Sequence, residues 1–213
     1  MSALHDFAGD FETHLTVAAR DLAALESWAA PRGLKVVHIV LERGRTPSQP
    51  MLTLRTTGTL TEARERAADT AAGLRAAGCA VTRTKIEAAP WNEGVPRTDD
   101  EEQAPGRYFE HHVKLLLGAD AGGLPALAGL VVRHEAHLSR NARRVRADGL
   151  QERFVTQRCR AVGSLTAGRR LDALTAVLRA AGHEIASVER EYVVADDAES
   201  LDDGWITEGR NRR

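Results

Sequence analysis

Two runs of alternating side chains carry the ionisable groups of this chain most suited to chemistry. They are Phe11-Glu12-Thr13-His14-Leu15-Thr16-Val17 and Phe109-Glu110-His111-His112-Val113-Lys114-Leu115. In an extended strand, residues two apart share a face and stand roughly 6.5–7 Å from one another. Each run therefore sets a carboxylate beside an imidazole. A carboxylate orients a neighbouring His and raises its proton affinity, which gives a general base poised near neutral pH. His14, His112, Glu12 and Glu110 are the expected catalytic set. The same pattern also describes a polar sheet face or a polar seam, and duplication alone would repeat it.

Cations supply the second signal. Between Arg133 and Arg170 there are ten Arg against three acids, Glu135, Asp148 and Glu152. The stretch His137-Leu138-Ser139-Arg140-Asn141-Ala142-Arg143-Arg144 and the residues Arg153, Arg158 and Arg160 fall on two neighbouring strands. Guanidinium forks there suit bidentate binding of a phosphate or carboxylate. Arg55, Lys85, Lys114, Arg158, Arg160 and Arg140 are the expected ligand-binding residues. The alternative is an Arg-rich hairpin that pairs with the chain's own Glu110, Glu189 and Glu191.

The elements that position these groups recur. Besides the two runs above, Arg55-Thr56-Thr57-Gly58-Thr59-Leu60-Thr61 matches Arg160-Ala161-Val162-Gly163-Ser164-Leu165-Thr166, and Leu74-Arg75-Ala76-Ala77-Gly78 returns as Leu178-Arg179-Ala180-Ala181-Gly182. Three matches in one order at nearly one offset point to duplication. Apolar periodicity predicts strands at 11–17, 35–42, 51–57 and 81–87, with helices from Asp21 to about Pro31 and from Thr59 to Gly78. Thr59 and Glu62 have capping-box spacing. The second half repeats this order, with strands at 108–117, 136–145, 153–161 and 184–194 and helices at 123–133 and 166–181.

The expected fold class is α+β: a tandem duplication of a ferredoxin-like βαββαβ unit, giving two antiparallel four-stranded sheets, each with two helices on one face. Residues 1–88 form the first lobe, 89–107 a Pro-rich acidic linker, 108–195 the second lobe, and 196–213 an acidic tail with one anchor, Trp205-Ile206. Alternation turns Phe11, Leu15 and Val17 toward the helices. Glu12, His14, Thr16, Thr53, Arg55, Arg83, Lys85 and Glu87 face the other way, with Glu110, His112, Lys114, Arg158, Arg160, Glu189 and Glu191 in the second lobe.

Composition narrows the function classes. The chain has 213 residues, 43 % hydrophobic and 28 % charged, with a formal net charge of −1. It lacks the overall positive charge of a polyanion-binding protein. Cys79 and Cys159 have no ligand spacing and read as buried, inert thiols. No signal peptide and no long apolar run is present, so a cytoplasmic location without membrane contact is expected. A P-loop, a GxGxxG after a strand and a GxSxG elbow are all missing. The βαββαβ order is shared with RNA-recognition motifs, but those stack bases on sheet aromatics, and here the face carries Arg and His. No cofactor and no metal is expected, because His111-His112 and His134…His137 lack ligand geometry.

His14-Leu15-Thr16-Val17 and His137-Leu138-Ser139-Arg140 resemble the paired His-x-Thr/Ser motifs of the 2H phosphoesterases, which are bilobal with internal pseudo-symmetry. The resemblance implies two His acting as base and acid on a cyclic or 2′-phosphodiester. It spans eight residues and departs from symmetry, since the repeat partner of His14 is His112, where Lys114 stands in place of the hydroxyl. The tandem arrangement is also similar to the dimeric α+β barrel proteins, which pack two such sheets face to face.

The sequence thus predicts an anionic small molecule, phosphorylated or carboxylated, bound in an Arg/His/Glu-lined cleft, with metal-independent His acid/base chemistry. The alternatives are a non-catalytic module docking an acidic partner or a nucleic acid backbone through the Arg-rich hairpin, and a 2H-type hydrolase.

Overall fold

The computed structural model describes residues 7–101, 103–118, 123–143 and 147–206. The described residues form eight strands and four α-helices. The first half holds β1 (Ala8–Val17), α1 (Leu22–Ala29), β2 (Lys35–Leu41), β3 (Ser48–Thr59), α2 (Leu60–Ala76) and β4 (Val81–Ala88). The second holds β5 (Tyr108–Leu117), α3 (Leu124–Val132), β6 (Ala136–Asn141), β7 (Gln151–Arg160), α4 (Ser164–Ala180) and β8 (Glu184–Asp196). Both halves run β-α-β-β-α-β.

The strands form one closed antiparallel barrel in the order β1-β3-β2-β6-β7-β5-β8-β4. Two separate sheets were the expectation, and the barrel corrects it. The free edge of each four-stranded set presents unpaired N–H and C=O groups. Here those edges pair with each other, β2 with β6 around Val40↔Arg140 and β4 with β8 from Lys85↔Asp196 to Ala88↔Tyr192.

Strand alternation then decides what lies inside and outside. Phe11, Leu15, Val17, Leu52, Leu54 and Ile86 face out and pack with Leu25 of α1 and Ala63, Ala67, Ala71 and Leu74 of α2. Val113, Leu115, Leu138 and Val155 do the same with Leu127 and Val131 of α3 and Leu171, Leu174 and Leu178 of α4. The helices cover the outer surface, and the polar faces line the lumen. Cys79 and Cys159 are buried free thiols. No described helix is long and apolar enough to cross a membrane.

Thr59 caps α2 as its spacing predicts: Glu62 N donates to Thr59 Oγ1 at 3.2 Å, and Thr59 N donates to the Glu62 carboxylate at 2.7 Å. Asp21 makes no cap bond at α1 and instead accepts from Ala80 N at 2.8 Å, tying the start of the helix to the approach to β4. The 89–107 segment, the expected linker, is docked at several points along its course. Glu93 N donates to Ala8 O at 3.0 Å and Ser164 N to Pro96 O at 2.9 Å. Asp99 accepts from Gly163 N and Thr166 Oγ1, both at 2.8 Å, and so caps α4 from a distance in sequence. The backbone of Arg97 and Thr98 comes so close to Gly163 that a Cβ there would lie 2.4 Å from Arg97 O.

The tail also folds back. After β8 it passes through a short 3-10 turn, Glu199–Asp202, and packs Trp205 and Ile206 against Leu41. Trp205 Nε1 donates to Leu138 O at 2.9 Å, and Arg45 N to Asp203 O at 2.9 Å. This plug closes one end of the barrel. At the other end Lys35 and Glu189 are exposed and Asn141 and Phe154 half-buried, which marks the mouth.

Candidate active site in the barrel lumen

The lumen holds a cavity of about 190 Å³ with two unlike walls. Val37, Ile39 and Leu41 of β2, Met51 of β3, Phe154 of β7 and Trp205 of the plug form an apolar wall. Across from it, β4, β1, β5 and β8 present the ionisable residues. The division follows from the sequence, since the inward positions of β2 are Val, Ile and Leu while those of β1 and β5 are Glu, His and Thr or Lys.

His14 and His112 are held in the same way. His14 Nδ1 shares a hydrogen bond with Thr53 Oγ1 at 3.2 Å, and its Nε2 lies 3.0 Å from Glu87 and 3.6 Å from Glu12. His112 Nδ1 shares one with Thr156 Oγ1 at 3.0 Å, and its Nε2 lies 3.2 Å from Glu110 and 3.4 Å from Glu191. In each half the first strand gives the His and one Glu, the third strand gives the Thr, and the fourth gives the second Glu. Both imidazole side chains retain some exposure, 16 % and 22 %.

Electrostatics follows from these contacts. Burial alone would lower the pKa of His112, but hydrogen bonds and charge from Glu110 and Glu191 outweigh it and push it up to about 10, so the ring is an imidazolium at neutral pH. Burial would likewise raise Glu110, yet Arg158 and Lys85 hold it well below the usual carboxylate range. Lys85 and His14 bring Glu87 down to about 2 against the same burial. Glu191 behaves in the opposite sense: burial first, and then the negative charge of Glu87, raise its pKa.

Most of the expected anion clamps are already occupied. Lys85 Nζ lies 2.6 Å from Glu87 and 2.7 Å from Glu110. Arg158 donates to Glu110 at 2.5 Å and to Asp202 at 2.7 Å, and its guanidinium stacks on Tyr108. Arg160 is paired with Glu199 and also stacks on Tyr108. Arg55 is 81 % exposed and donates to Glu12. Arg140 leaves the site altogether, because β6 turns Ser139 and Asn141 inward and Arg140 outward. Arg144 lies outside the described residues. Lys114 differs from the others: it lines the cavity, its nearest carboxylate is Glu152 at 4.0 Å, and its ammonium sits over the Phe154 ring.

Several partners escaped the sequence reading of roles. Thr53, Glu87 and Glu191 lie on predicted inward positions and Thr156 is not among these, and the pairing of all four with the His depends on register between strands far apart in sequence. Arg83 and Asp202 form the floor: Asp202, 3 % exposed, accepts from Gln49 at 3.0 Å, Arg83 at 3.0 Å and Arg158 at 2.7 Å. Nothing local marks Asp202 for this role. His137 lies under the plug beside Arg43 and Trp205 and is 3 % exposed.

Glu87, Glu110 and His112 offer ligand atoms within 4.8 Å of one another, a spacing a divalent cation could use. The Lys85 ammonium, however, stands between the two carboxylates and supplies the positive charge there. The residues therefore fit an organic acid–base site better than a metal centre.

No family model matches this chain, and no curated protein matches it. Among solved structures, the small subunit of acetolactate synthase from Thermotoga maritima aligns over 88 % of this chain and 95 % of its own, at 12 % identity and a TM-score of 0.32. A putative monooxygenase from Fusobacterium nucleatum subsp. nucleatum aligns over 87 % and 92 %, at 9 % identity and a TM-score of 0.28. Likenesses this slight carry no argument about function.

Proposed function

We propose that the barrel binds a small carboxylated or phosphorylated molecule through its open end and holds it against a pair of His–Glu acid/base groups. One observation carries this reading: two imidazoles, each fixed by a Thr and two Glu, flank a one-mouthed lumen whose least engaged interior cation is Lys114. Lys114, with Lys35 at the rim, receives the acidic group, and the apolar wall takes the body of the molecule. This shifts the anion contacts from Arg158, Arg160, Arg55 and Lys85 toward the mouth, since those four already meet carboxylates.

The matching element order and the matching His–Thr–Glu units also support descent from a duplicated ferredoxin-like unit. On this view residues 1–88 and 108–195 are the two copies, joined by 89–107 and followed by the 196–213 tail, in a cytoplasmic protein.

A thermal-shift screen of carboxylated and phosphorylated metabolites at two salt concentrations tests the reading. A ligand of the native state raises the melting temperature. The expected hit stabilises the wild type, stabilises Lys114→Ala less, and loses its effect in His14→Ala and His112→Ala. A panel without any stabilising acid would end the proposal.

A further inference from the structure

Glu191 stands apart from the other carboxylates clustered around the two imidazoles. Glu110 is met by Lys85, Arg158 and His112, Glu87 by Lys85 and His14, and Glu12 by Arg55 and His14. Among the described residues Glu191 meets one cationic group, His112, at 3.4 Å. It lines the cavity and keeps 17 % exposure. A carboxylate with a single cationic partner in a cavity wall, next to an imidazole fixed from its other side, is placed to exchange protons with a bound molecule.

We propose that Glu191 is the general base and His112 the general acid of a lumenal keto–enol proton transfer, and that the substrate is a 2-oxo acid with an apolar body. This rests on the binding reading above and adds the reaction. The order of groups selects the substrate class. His112 and Lys114 are neighbours on the inward face of β5, roughly 6.5–7 Å apart along the strand. They can meet a carbonyl oxygen and the adjacent carboxylate of one molecule, while Ile39, Met51 and Phe154 receive its side chain.

In the step, a Glu191 carboxylate oxygen takes a proton from the carbon next to the ketone. The C–H electron pair forms the new C=C bond, and the carbonyl π pair moves to oxygen, which takes the proton from His112 Nε2. Glu191 is left as a neutral carboxyl and His112 as a neutral imidazole. Direct transfer of the proton from Glu191 to His112 Nε2 then restores both, with no oxidant or co-reactant. Burial of Glu191 beside Glu87 raises its proton affinity in support of the role, and Glu110 and Thr156 keep the His112 ring in place during the cycle.

Phenylpyruvate serves as the probe. Its exchange at C3 in D2O is followed by NMR, and ketonisation of its enol by ultraviolet absorbance, both with the full chain. Wild type is expected to exceed the buffer rate, and Glu191→Gln to lower the enzymatic rate by about 100-fold or more while still being stabilised by phenylpyruvate in thermal shift. His112→Gln is expected to lose the rate as well, and Arg140→Gln, outside the barrel, to keep it. The rate should rise with pH as Glu191 ionises; the charged groups facing it are Glu87 and Lys85 from β4 and Glu110 and His112 from β5. Folding of each variant is checked by circular dichroism, and Glu191→Asp provides a second, milder change expected to retain part of the rate. Stabilisation by phenylpyruvate without exchange above buffer would overturn the inference and leave the binding reading standing. Exchange that survives Glu191→Gln would overturn the role of Glu191. Absence of both stabilisation and exchange would remove the 2-oxo acid assignment, while the metabolite screen decides binding separately.

Discussion

At the scale of single residues, the lumen is governed by which charges have partners. Glu110 joins Lys85, Arg158 and His112, so its neutral replacement leaves buried cations under-compensated. Breaking such a group by removing one member typically costs about 3–5 kcal/mol. Glu110→Gln is therefore expected to lower the urea midpoint strongly, whereas Glu12→Gln, nearer the rim and 21 % exposed, should change it little. His112 adds a pH dependence of known sign. Its folded pKa is raised to about 10, above the ordinary 6.5, because Glu110 and Glu191 outweigh the effect of burial. Its contribution is thus fully present below pH 6.5 and fades as pH rises through about 10. Unfolding curves from pH 6 to 10 should show that alkaline loss in the wild type and a flatter profile in His112→Gln.

Secondary-structure elements were legible in the sequence wherever apolar period and caps agreed. Thr59 with Glu62 marked the start of α2, and the apolar period of Leu171, Leu174, Val177 and Leu178 marked a face of α4 of which Leu171, Leu174 and Leu178 are buried, because both signals are local. Thr59→Ala should cost about 1 kcal/mol in chemical denaturation, the usual value for a lost N-cap. Asp99 shows what local pattern misses. It caps α4 from more than sixty residues upstream, and the bonds from Gly163 and Thr166 hold its pKa below the ordinary value. Asp99→Ala is expected to speed amide exchange in the first turn of α4 and leave α2 unchanged. The inward faces of β1 and β5 were equally readable from alternation. Their His–Thr–Glu partnerships were not, because His14 meets Thr53 and Glu87 only through the registers β1–β3 and β1–β4.

The whole molecule is a barrel with one end stoppered by its own tail, and closure was the feature furthest from the sequence. Free strand edges in both halves can pair within a chain or between chains, and no local pattern selects one. The plug gives this architecture a measurable consequence. Asp202 is buried, which by itself would raise its pKa, but Arg158 and Arg83 hold it below the ordinary carboxylate value. Its stabilising contribution is therefore present above the unfolded pKa and lost as pH falls through the depressed folded one. Removing residues 199–213 takes away that carboxylate together with the buried Trp205 and Ile206, and an Ile side chain alone is worth roughly 1.5–3 kcal/mol when fully buried. The truncated chain should melt well below the wild type, and the deficit should shrink at acidic pH, where Asp202 no longer helps the intact protein. Asp202→Asn keeps the apolar stopper and isolates the charge, so it should reproduce the pH-dependent part of the deficit alone. Equal melting temperatures for truncated and intact chains at neutral pH would show that the tail does not seal the barrel in solution.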